Sequence, residues 1–498
     1  MNYIVNSSEM KACDKGTIEY YGVPSLVLME RAALSVVEAI TQQTKKDAAV
    51  LIVCGSGNNG GDGVAIGRLL FLKGYDVQIV FAGKKSSASE ETRQQLAIAE
   101  KYQVPVATEI PDKSYDVIVD ALFGIGLCRN IEGHYYDLLV QMNQMSGLKV
   151  AVDIASGVNG DSGSIMGIAF CADLTVTFAF AKAGHLLYPG ASYTGKLIVK
   201  EIGIDEHGFL GKLPNVHMLD KEDMALLPER PAHSNKGTFG KVLVIAGTVN
   251  MAGAACFSAK AAYRTGAGLV RVLTHQANRT IVQSLVPEAV LTTYEESTET
   301  EQKKILECID WASVIVIGPG LGQNHFSLLL VETVLKNAKV PCIVDADALN
   351  LIAKFHLDIG NGETPIIITP HIGEMSRLCR QSIETIKEDA ITVAKMYAKE
   401  HQVITVLKDA RTLTALPDGE VYINTSGNSG MSTGGSGDVL TGIIAGLLCQ
   451  GCAPELAAPL GVYLHGLAGD HMSRQLGMHS LMASDLIDGI SMVLKEGK

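Results

Sequence analysis

The 498-residue sequence has few charged residues (19%), few aromatic residues (5%) and a single tryptophan. Lys and Arg number 41 against 53 Asp and Glu, which gives a formal net charge of −12, and no run of basic residues exceeds two. Nucleic acids and anionic membranes bind proteins through clustered positive charge. We therefore expect no nucleic acid and no membrane among the partners of this chain.

Long apolar segments are also missing. The most apolar stretch, residues 439–449, is about half the ~20 residues that a membrane-spanning helix needs, so it predicts a core helix. The first residues, Met-Asn-Tyr-Ile-Val-Asn-Ser-Ser-Glu, have neither the basic start nor the apolar stretch of a secretory signal. The ten cysteines are irregularly spaced, with Cys449 and Cys452 as the single C-x-x-C pair, which favours reduced thiols. A cytoplasmic protein is expected.

Strand-like apolar runs alternate with helical stretches along the whole chain. Candidate strands cover residues 49–54, 76–82, 116–120, 149–153 and 174–178 in the first half, and 241–246, 269–273, 314–317, 342–345, 366–369 and 404–408 in the second. This alternation is typical of parallel sheets covered by helices. Periodicity fails in residues 220–235, where two prolines interrupt the pattern. The sequence therefore predicts an α/β protein with domains at 1–215 and 225–498.

A glycine-rich loop follows the first strand. Residues 55–63 read Gly-Ser-Gly-Asn-Asn-Gly-Gly-Asp-Gly and precede a helix expected over residues 64–73. Glycines at such a turn let free N–H groups approach a phosphate. The next strand, however, lacks the carboxylate that dinucleotide dehydrogenases place at its end. Asn58, Asn59 and Asp62 instead predict side chains that grip a polar ligand or a cation, with a solvated turn as the alternative.

Two further strands end in aspartates at the edge where open α/β sheets bind ligands. They are Asp120 and Asp153, and Ser156 follows closely. The oxygen atoms of Asn59, Asp120 and Ser156 suit an alkali or alkaline-earth cation. Asp153 is then a candidate acid or base. Helix N-capping is the alternative role for either aspartate.

This set of residues resembles the N-terminal domain of bifunctional NAD(P)H-hydrate repair enzymes over about residues 1–215. In that family the domain is a Rossmann-like, three-layer epimerase that interconverts the R and S forms of hydrated NADH and NADPH. The resemblance implies K⁺ at Asn59, Asp120 and Ser156, and Asp153 in contact with the hydrated ring. Ala155 replaces the proline usual in the family, which removes rigidity but no chemical group. The implied nucleotide-binding residues are Asn58, Asn59, Gly60, Gly61 and Asp62, covered by Gly124, Ile125, Gly126, Leu127, Cys128, Arg129 and Asn130.

The densest glycine signal lies in the second half. Residues 426–438 read Ser-Gly-Asn-Ser-Gly-Met-Ser-Thr-Gly-Gly-Ser-Gly-Asp and precede an apolar helix expected over residues 439–449. Such a run directs successive N–H groups at one phosphate. It is not a Walker loop, because no Gly-Lys-Ser/Thr ends it. Asp438, at the helix start, could take a proton from a substrate hydroxyl, and helix capping is the alternative.

Gly-Gly-Ser-Gly-Asp resembles the anion-hole motif of the ribokinase-like superfamily, in which the Asp is the catalytic base. Four more motifs extend the resemblance, over about residues 225–498, to ADP- or ATP-dependent NAD(P)H-hydrate dehydratases. They are Gly-Pro-Gly-Leu-Gly from Gly318, Val-Asp-Ala-Asp-Ala-Leu-Asn from Val344, Thr-Pro-His-Ile-Gly-Glu-Met from Thr369 and Val-Leu-Lys-Asp-Ala-Arg-Thr from Val406.

The resemblance implies site residues for this half too. Ala254, Gly322 and His371 would bind the hydrated dinucleotide, and Asp438 would reach its hydroxyl. For His371, an ordinary loop histidine is the alternative. Adenine nucleotide, ADP or ATP with Mg²⁺, would be held by Lys408, Asp409, Ala410, Arg411, Thr412 and Gly437.

The sequence therefore predicts a two-domain repair enzyme, Rossmann-like then ribokinase-like. Its substrates would be hydrated NADH and NADPH (NADHX and NADPHX) with ADP or ATP, and a homo-oligomer is expected. Asp153 would assist epimerisation and Asp438 would deprotonate the hydroxyl for phosphoryl transfer. The alternatives are a ribokinase-like kinase of a small vitamin precursor, which leaves the first domain unexplained, and a nucleotide-binding regulator without turnover.

Overall fold

The computed structural model describes residues 1–295, 298–360 and 364–496. The chain forms two compact units. The first unit is Tyr3–Asn215, and the second is Val216–Lys498 together with Met1–Asn2. The segment 220–235, where the sequence suggested a break, lies within the second unit.

The first unit is built on a parallel seven-stranded sheet in the order β4-β3-β2-β5-β6-β7-β9, and a short parallel pair, β1 with β8, accompanies it. The strands are β1 (Asn2–Val5), β2 (Ala49–Cys54), β3 (Asp76–Phe81), β4 (Val106–Ala107), β5 (Val117–Ala121), β6 (Leu148–Val152), β7 (Leu174–Phe178), β8 (Ala181–Lys182) and β9 (Lys196–Lys200). The helices are α1 (Ser7–Lys15), α2 (Ser25–Thr41), α3 (Asn58–Leu72), α4 (Glu90–Lys101), α5 (His134–Gln144), α6 (Ala183–Leu186) and α7 (Ala191–Thr194).

Both faces of this sheet are buried, because successive strand side chains point to opposite faces. In β2, Val50, Ile52 and Cys54 pack into a core with α2 and α3, while Leu51 and Val53 pack into a second core that includes α5. These two cores give the three-layer arrangement that the sequence predicts.

The second unit contains a ten-stranded run in the order β13-β12-β11-β14-β15-β16-β17-β18-β19-β10, parallel except at β18, which is antiparallel to both neighbours. The strands are β10 (Val216–Met218), β11 (Lys241–Ile245), β12 (Leu269–His275), β13 (Val290–Tyr294), β14 (Val314–Ile317), β15 (Cys342–Val344), β16 (Ile366–Ile368), β17 (Ile404–Leu407), β18 (Leu413–Ala415) and β19 (Val421–Ile423).

The helices of this unit cover its sheet. They are α8 (Ala252–Thr265), α9 (Arg279–Leu285), α10 (Thr298–Trp311), α11 (His325–Asn337), α12 (Ala346–Phe355), α13 (Ile372–Cys379), α14 (Ile383–Glu388), α15 (Ala390–His401), α16 (Ser436–Cys449), α17 (Pro454–Leu476) and α18 (Ala483–Glu496). The apolar helix α16 is buried from Val439 to Cys449. It touches α8 closely at Gly442, where an added Cβ would lie 2.3 Å from the carbonyl oxygen of Ser258.

The α/β class and the eleven expected strands are confirmed, with ends that differ by at most two residues. Both expected helix starts were wrong. Helix α3 begins at Asn58 rather than near residue 64, and α16 begins at Ser436 rather than residue 439. In each case the glycine-rich motif itself forms the first helical turns. The low helix propensity of glycine hid these starts, since tertiary packing overrides it.

Candidate active sites

A cavity of about 600 Å³ opens in the first unit at the carboxyl ends of its central strands. The residues predicted from sequence that line it are Asn58, Asn59, Asp62, Gly124, Ile125, Gly126, Leu127, Cys128, Arg129 and Asp153. Asn130 is exposed and does not line this cavity. The loop 124–129 therefore borders the cavity, as expected of a segment that covers a ligand.

Gly60 and Gly61 lie behind the cavity wall rather than on it. A Cβ at Gly60 would lie 1.9 Å from the carbonyl oxygen of Gly55, and one at Gly61 would lie 2.7 Å from Cε of Met29. Only glycine permits the backbone contact of Gly60, whereas a side chain at Gly61 would displace the side chains of Met29 and Thr92. The two residues therefore set the position of the first turn of α3, and its side chains Asn58, Asn59 and Asp62 face the cavity.

Asn59, Asp120 and Ser156 come together beside the loop that starts at Leu122. The amide oxygen and nitrogen of Asn59 are buried and have no hydrogen-bond partner in the structure. Asp120 Oδ1 accepts from Ser156 Oγ at 2.7 Å, and Oδ2 accepts from the Ser156 backbone N–H at 2.7 Å. Gly124 packs against the Asn59 side chain. Neither Asp120 nor Asp153 caps a helix, so the capping alternative is wrong for both.

The chemistry of this donor set fits a weakly hydrated monovalent cation. Burial raises the pKa of Asp120 to about 6, although hydrogen bonds from Ser156 and Leu122 oppose the rise. An unpaired buried amide such as that of Asn59 costs free energy unless something completes its bonding. A cation held by the Asn59 amide oxygen and the Asp120 carboxylate would satisfy that oxygen and offset the cost of the buried carboxylate charge.

Asp153 is held by a buried lysine that lies 29 residues further along the chain. Lys182 Nζ donates to Asp153 Oδ1 at 2.6 Å and to Thr177 Oγ1 at 2.7 Å, and Thr177 Oγ1 donates to the same Asp153 oxygen at 2.9 Å. Burial would raise the pKa of Asp153, but the Lys182 ammonium outweighs it and holds the pKa below its usual value. Asp153 is therefore an ionised carboxylate.

The backbone of Asp153 is constrained as well. Its φ of +66° lies in the left-handed region, which non-glycine residues adopt at a cost. His185 Nδ1 accepts from the Lys182 backbone N–H at 3.0 Å, so its Nε2 carries the proton and donates to the Asp153 carbonyl at 2.9 Å. Burial and Lys182 lower the pKa of His185 to about 4, which keeps it neutral. This network fixes the orientation of the Asp153 carboxylate.

Three more carboxyl groups line the same cavity, and sequence reasoning assigned an acid–base role to none of them. They are Asp14 on α1, Asp62 on α3 and Glu91 on α4. Burial, followed by neighbouring carboxylates that include Asp153, raises the pKa of Asp62 well above its usual value. Burial and Glu91 raise the pKa of Asp14 as well. Met10, Asp14 and Ile18 lie four residues apart, a spacing that could have indicated one helical face.

The second site lies where α16 begins. Gly435 is the residue before the helix, with φ +92°, and no side chain caps the first turn. Asp438 lies within that turn, so its expected alternative role as a helix cap is wrong. Ser258 Oγ donates to the Asp438 carbonyl at 2.9 Å. Burial and then Asp345 raise the pKa of Asp438 to about 7, with Lys408 opposing.

A second buried ion pair adjoins this helix start. Lys408 Nζ lies 2.8 Å from Asp345 Oδ1, and a Cβ at Gly437 would lie 3.3 Å from Lys408 Nζ. Burial would lower the pKa of Lys408, but Asp345 and Glu374 raise it, so the lysine is charged. Asp345 follows β15, and its importance could have been inferred from its place at the end of a strand.

Of the remaining predicted residues of this unit, His371 lies beside that pair. His371 neighbours Lys408 in a parallel bridge, and its Nδ1 caps α13 by accepting from the Gly373 and Glu374 N–H groups. His371 thus has a structural role as the cap of α13, and its ring remains half-exposed. The Gly322 N–H donates to Asp347 Oδ2 at 2.8 Å.

Ala254 and the segment after Lys408 complete the set. A Cβ at Gly320 would lie 2.9 Å from that of Ala254, so α8 meets the loop before Gly322 there. Asp409 and Ala410 are exposed, while Arg411 Nη1 donates to the Thr425 carbonyl at 3.0 Å and Thr412 Oγ1 donates to the Asp409 carbonyl at 3.3 Å.

Within residues 1–295, 298–360 and 364–496, no group of three or more His, Cys, Asp or Glu side chains is arranged to hold a metal ion. No helix in those ranges is long and apolar enough to cross a membrane.

Known protein families match both units. A family model described as NAD(P)H-hydrate dehydratase matches residues 242–492, and one described as YjeF-related protein N-terminus matches residues 25–184. The bifunctional NAD(P)H-hydrate repair enzyme Nnr of Moorella thermoacetica is 38% identical over 99% of this chain and 97% of its own length. The Escherichia coli enzyme of the same name is 33% identical over 98% of this chain and 93% of its own.

A solved structure resembles the second unit. The ADP/ATP-dependent NAD(P)H-hydrate dehydratase from Bacillus subtilis, co-crystallised with ATP and Mg²⁺, has a TM-score of 0.52 and 33% identity, covering 57% of this chain and 99% of that protein. Its likeness supports the ribokinase-like fold of this unit. Because the two relatives named above match nearly the whole chain at 38% and 33% identity, the chain belongs to the family of bifunctional NAD(P)H-hydrate repair enzymes.

Proposed function

We propose that the chain carries out its two repair reactions in separate sites, epimerisation within residues 1–215 and nucleotide-dependent dehydration within residues 225–498. That the chain is a bifunctional enzyme for hydrated NADH and NADPH follows from its family. The observation that supports this assignment of sites is the environment of Asp438. Its carboxyl lies at the start of α16 without capping it, beside the Lys408–Asp345 pair, with a pKa of about 7.

In the dehydration, Asp438 would act as the base. It would take the proton of the hydroxyl on the ring carbon next to nitrogen while that oxygen attacks the terminal phosphorus of ATP, or of ADP. The phosphate ester formed is a better leaving group than hydroxide. Loss of phosphate, together with a proton from the adjacent ring carbon, restores the dihydronicotinamide double bond. A pKa near neutrality suits a base that must be ionised before the reaction and protonated after it.

The binding groups of this site would divide between the two substrates. The N–H groups around Gly437 and the charge of Lys408 would receive nucleotide phosphates, since helix N-termini and glycine-rich turns attract anions. Asp409, Ala410, Arg411 and Thr412 would contact the nucleotide. Mg²⁺ would enter with the phosphates and neutralise their charge, because it commonly binds through substrate phosphates and few carboxylates.

The hydrated dinucleotide would occupy the other side of this site. Ala254, Gly322 and His371 would contact it. The Gly322 backbone is fixed by Asp347. Nδ1 of His371 caps α13 and its Nε2 lies 3.4 Å from Glu374 Oε1, so the half-exposed face of the ring would meet the ligand.

In the epimerisation, Asp153 would assist at the same ring carbon. The lone pair of the ring nitrogen expels the hydroxyl, which would leave as water with a proton from Asp62 or Asp14, the carboxyls of the cavity whose pKa is raised, and a planar cation remains. Water then adds to either face and gives both epimers. The ionised Asp153 carboxylate would stabilise the cation and accept the proton of the incoming water. Lys182 would keep Asp153 ionised for this role.

K⁺ would be held by Asn59, Asp120 and Ser156. The three side chains carry one formal negative charge, which suits a large monovalent ion better than a small divalent one. The ion would supply positive charge near the start of α3 and offset repulsion between Asp120 and the phosphates. Asn58, Asn59 and Asp62, with the loop 124–130, would surround the nucleotide.

We also propose that the enzyme works in the cytoplasm as a homo-oligomer, with NADHX or NADPHX and ADP or ATP as its partners and no nucleic acid. The net charge of −12 disfavours polyanionic partners. Size-exclusion chromatography with light scattering at several protein concentrations tests the homo-oligomer, since a constant single-chain mass would contradict it.

One assay tests the proposed reactions. Hydrated NADH is prepared chemically, and the return of the near-ultraviolet absorbance of the dihydronicotinamide is followed with ATP, ADP or neither. We expect recovery with a nucleotide and Mg²⁺ and none without. Nucleotide-independent recovery would contradict phosphoryl transfer from the second site.

A further inference from the structure

One face of helix α17 holds the glycine-rich loop that precedes α16. The loop spans residues 426–436, and the α17 residues that face it follow helical spacing. Gly466 lies against the start of the loop, because a Cβ there would lie 2.1 Å from Ser426 Oγ and 2.7 Å from its carbonyl carbon. Gly469 lies against Met431 in the same way, with 2.2 Å to Sδ. The loop backbone therefore rests directly on the helix.

Asp470, on the same face, makes a two-oxygen contact with the loop. Its Oδ2 accepts from the Gly427 backbone N–H at 2.8 Å, and its Oδ1 accepts from Asn428 Nδ2 at 2.9 Å. Hydrogen bonds to a carboxylate are stronger than those between neutral groups. Gly427 has φ +97°, and Asn428 Oδ1 accepts from the Gly430 N–H at 3.0 Å, so these bonds fix a turn in the loop.

The far end of the loop meets α17 as well. Ser436 Oγ lies 3.3 Å from His465 Nε2, and burial lowers the pKa of His465 to about 4, so the ring is neutral. Ser426 Oγ donates to the Tyr463 carbonyl at 2.9 Å. The helix thus contacts the loop at its start, its middle and its end. By contrast, the backbone of Asp438 is held from α8 through Ser258.

We propose that Asp470 is a positioning residue for the nucleotide: it holds the loop 426–436 in the conformation that receives the phosphates. The inference rests on the proposed assignment of this loop and of the α16 N-terminus to the nucleotide. A loop that is already ordered loses less conformational entropy on binding, so its anchors act on affinity. Because Asp438 is held from another helix, loss of the Asp470 contact should change KM for ATP and leave kcat nearly unchanged.

The contact allows an exchange experiment with side chains of nearly equal shape. In Asp470→Asn, one oxygen becomes an NH₂ group that faces the NH₂ group of Asn428, so one bond is lost. In Asn428→Asp, two carboxylates face each other. In the double variant Asn428→Asp with Asp470→Asn, the amide at 470 can accept from Gly427 and donate to the carboxylate at 428, which restores both bonds without a change in net charge.

Dehydration of S-configured NADHX by the full-length enzyme provides the measurement. Each single variant should raise KM for ATP by about tenfold, which corresponds to the loss of one charge-assisted hydrogen bond. The value of kcat should stay within about threefold of that of the unmutated enzyme. The double variant should return KM to within about threefold. Glu455→Gln, which removes an exposed carboxylate from the first turn of α17, is the control and should leave KM unchanged.

The possible results separate the inference from the proposed function. Unchanged KM in both single variants would overturn the positioning role. So would a double variant no better than the worse single one, or a fall in thermal midpoint of the single variants without a rise in KM. If the unmutated enzyme shows no turnover with either ATP or ADP, the proposed function itself fails. Binding of MgATP by calorimetry should follow the same order as KM.

Discussion

Lys182 Nζ and Asp153 Oδ1 lie 2.6 Å apart in the wall of the first cavity, and the lysine side chain is only 1% exposed. A buried ammonium beside one carboxyl selects which acid of the cavity is ionised. Asp153 has a lowered pKa, whereas Asp14 and Asp62, which also line the cavity, have raised ones. Pairs of acids whose pKa values are driven apart are typical of acid–base sites. The ion pair thus supports the proposed role of Asp153 as the base.

Removal of the lysine charge should therefore inhibit epimerisation in a pH-dependent way. In Lys182→Met, burial acts on Asp153 without its cation, so the pKa of Asp153 rises. The acid limb of the epimerase pH profile should move upward by about one unit or more. The rate of R-to-S conversion is measured from acid to alkaline pH. Lys200→Met, which removes a lysine paired with Glu38 elsewhere in this unit, is the control. An unshifted profile in Lys182→Met would contradict the role given to this pair.

The raised pKa of Asp438 should also determine the pH dependence of the dehydration. Because the pKa of Asp438 is about 7, its ionised fraction rises with pH through neutrality. We expect kcat/KM for dehydration of the S epimer to increase up to about pH 7 and then to level off. Asp438→Asn should abolish this limb and slow turnover by roughly 10²-fold or more, while nucleotide binding persists. Asp488→Asn on α18, an exposed acid, should change neither. Full turnover in Asp438→Asn would refute the assignment.

The cation site predicts a requirement for a monovalent ion in the first reaction alone. Replacement of K⁺ by the bulky tetramethylammonium ion should weaken binding of the hydrated dinucleotide and slow epimerisation, because methyl groups surround its charge and keep oxygen ligands at a distance. Asp120→Ala should have the same effect in K⁺ buffer. S-epimer dehydration, measured in the same buffers with Mg²⁺ constant, is the internal control. Full epimerase activity with K⁺ and Na⁺ both excluded would show that these three residues form ordinary turns.

The sequence alone was sufficient to predict the strands and the polar residues at their carboxyl ends. Asp120, Asp153 and Asp345 come directly at or after buried strands, and parallel strands bring such positions to one edge. The glycine motifs likewise marked the two regions where a helix begins at a site, although the first helical residues, Asn58 and Ser436, were not predicted. What they concealed was the extent of α3 and α16, because glycine lowers helix propensity while close packing demands it.

The partners of the catalytic groups could not be predicted in the same way. Lys182 is distant in sequence from Asp153, and Asp470 is 43 residues from Gly427, so only the folded chain brings them together. Asp14 reaches the first cavity from the N-terminal helix, which carries no glycine motif. A single sequence gives local pattern and spacing, whereas these pairings depend on long-range packing.

In the proposed function, two separate sites act in sequence on a substrate that diffuses between them. The most direct measurement follows dihydronicotinamide absorbance from a mixture of R and S NADHX with ATP and Mg²⁺. The unmutated enzyme should restore all of it. Asp153→Ala should stop at the S fraction, apart from slow spontaneous epimerisation, and Asp438→Asn should restore almost none. A mixture of the two variants should again restore all, because each supplies the site that the other lacks. Recovery by that mixture no greater than with Asp153→Ala alone would contradict two independent sites.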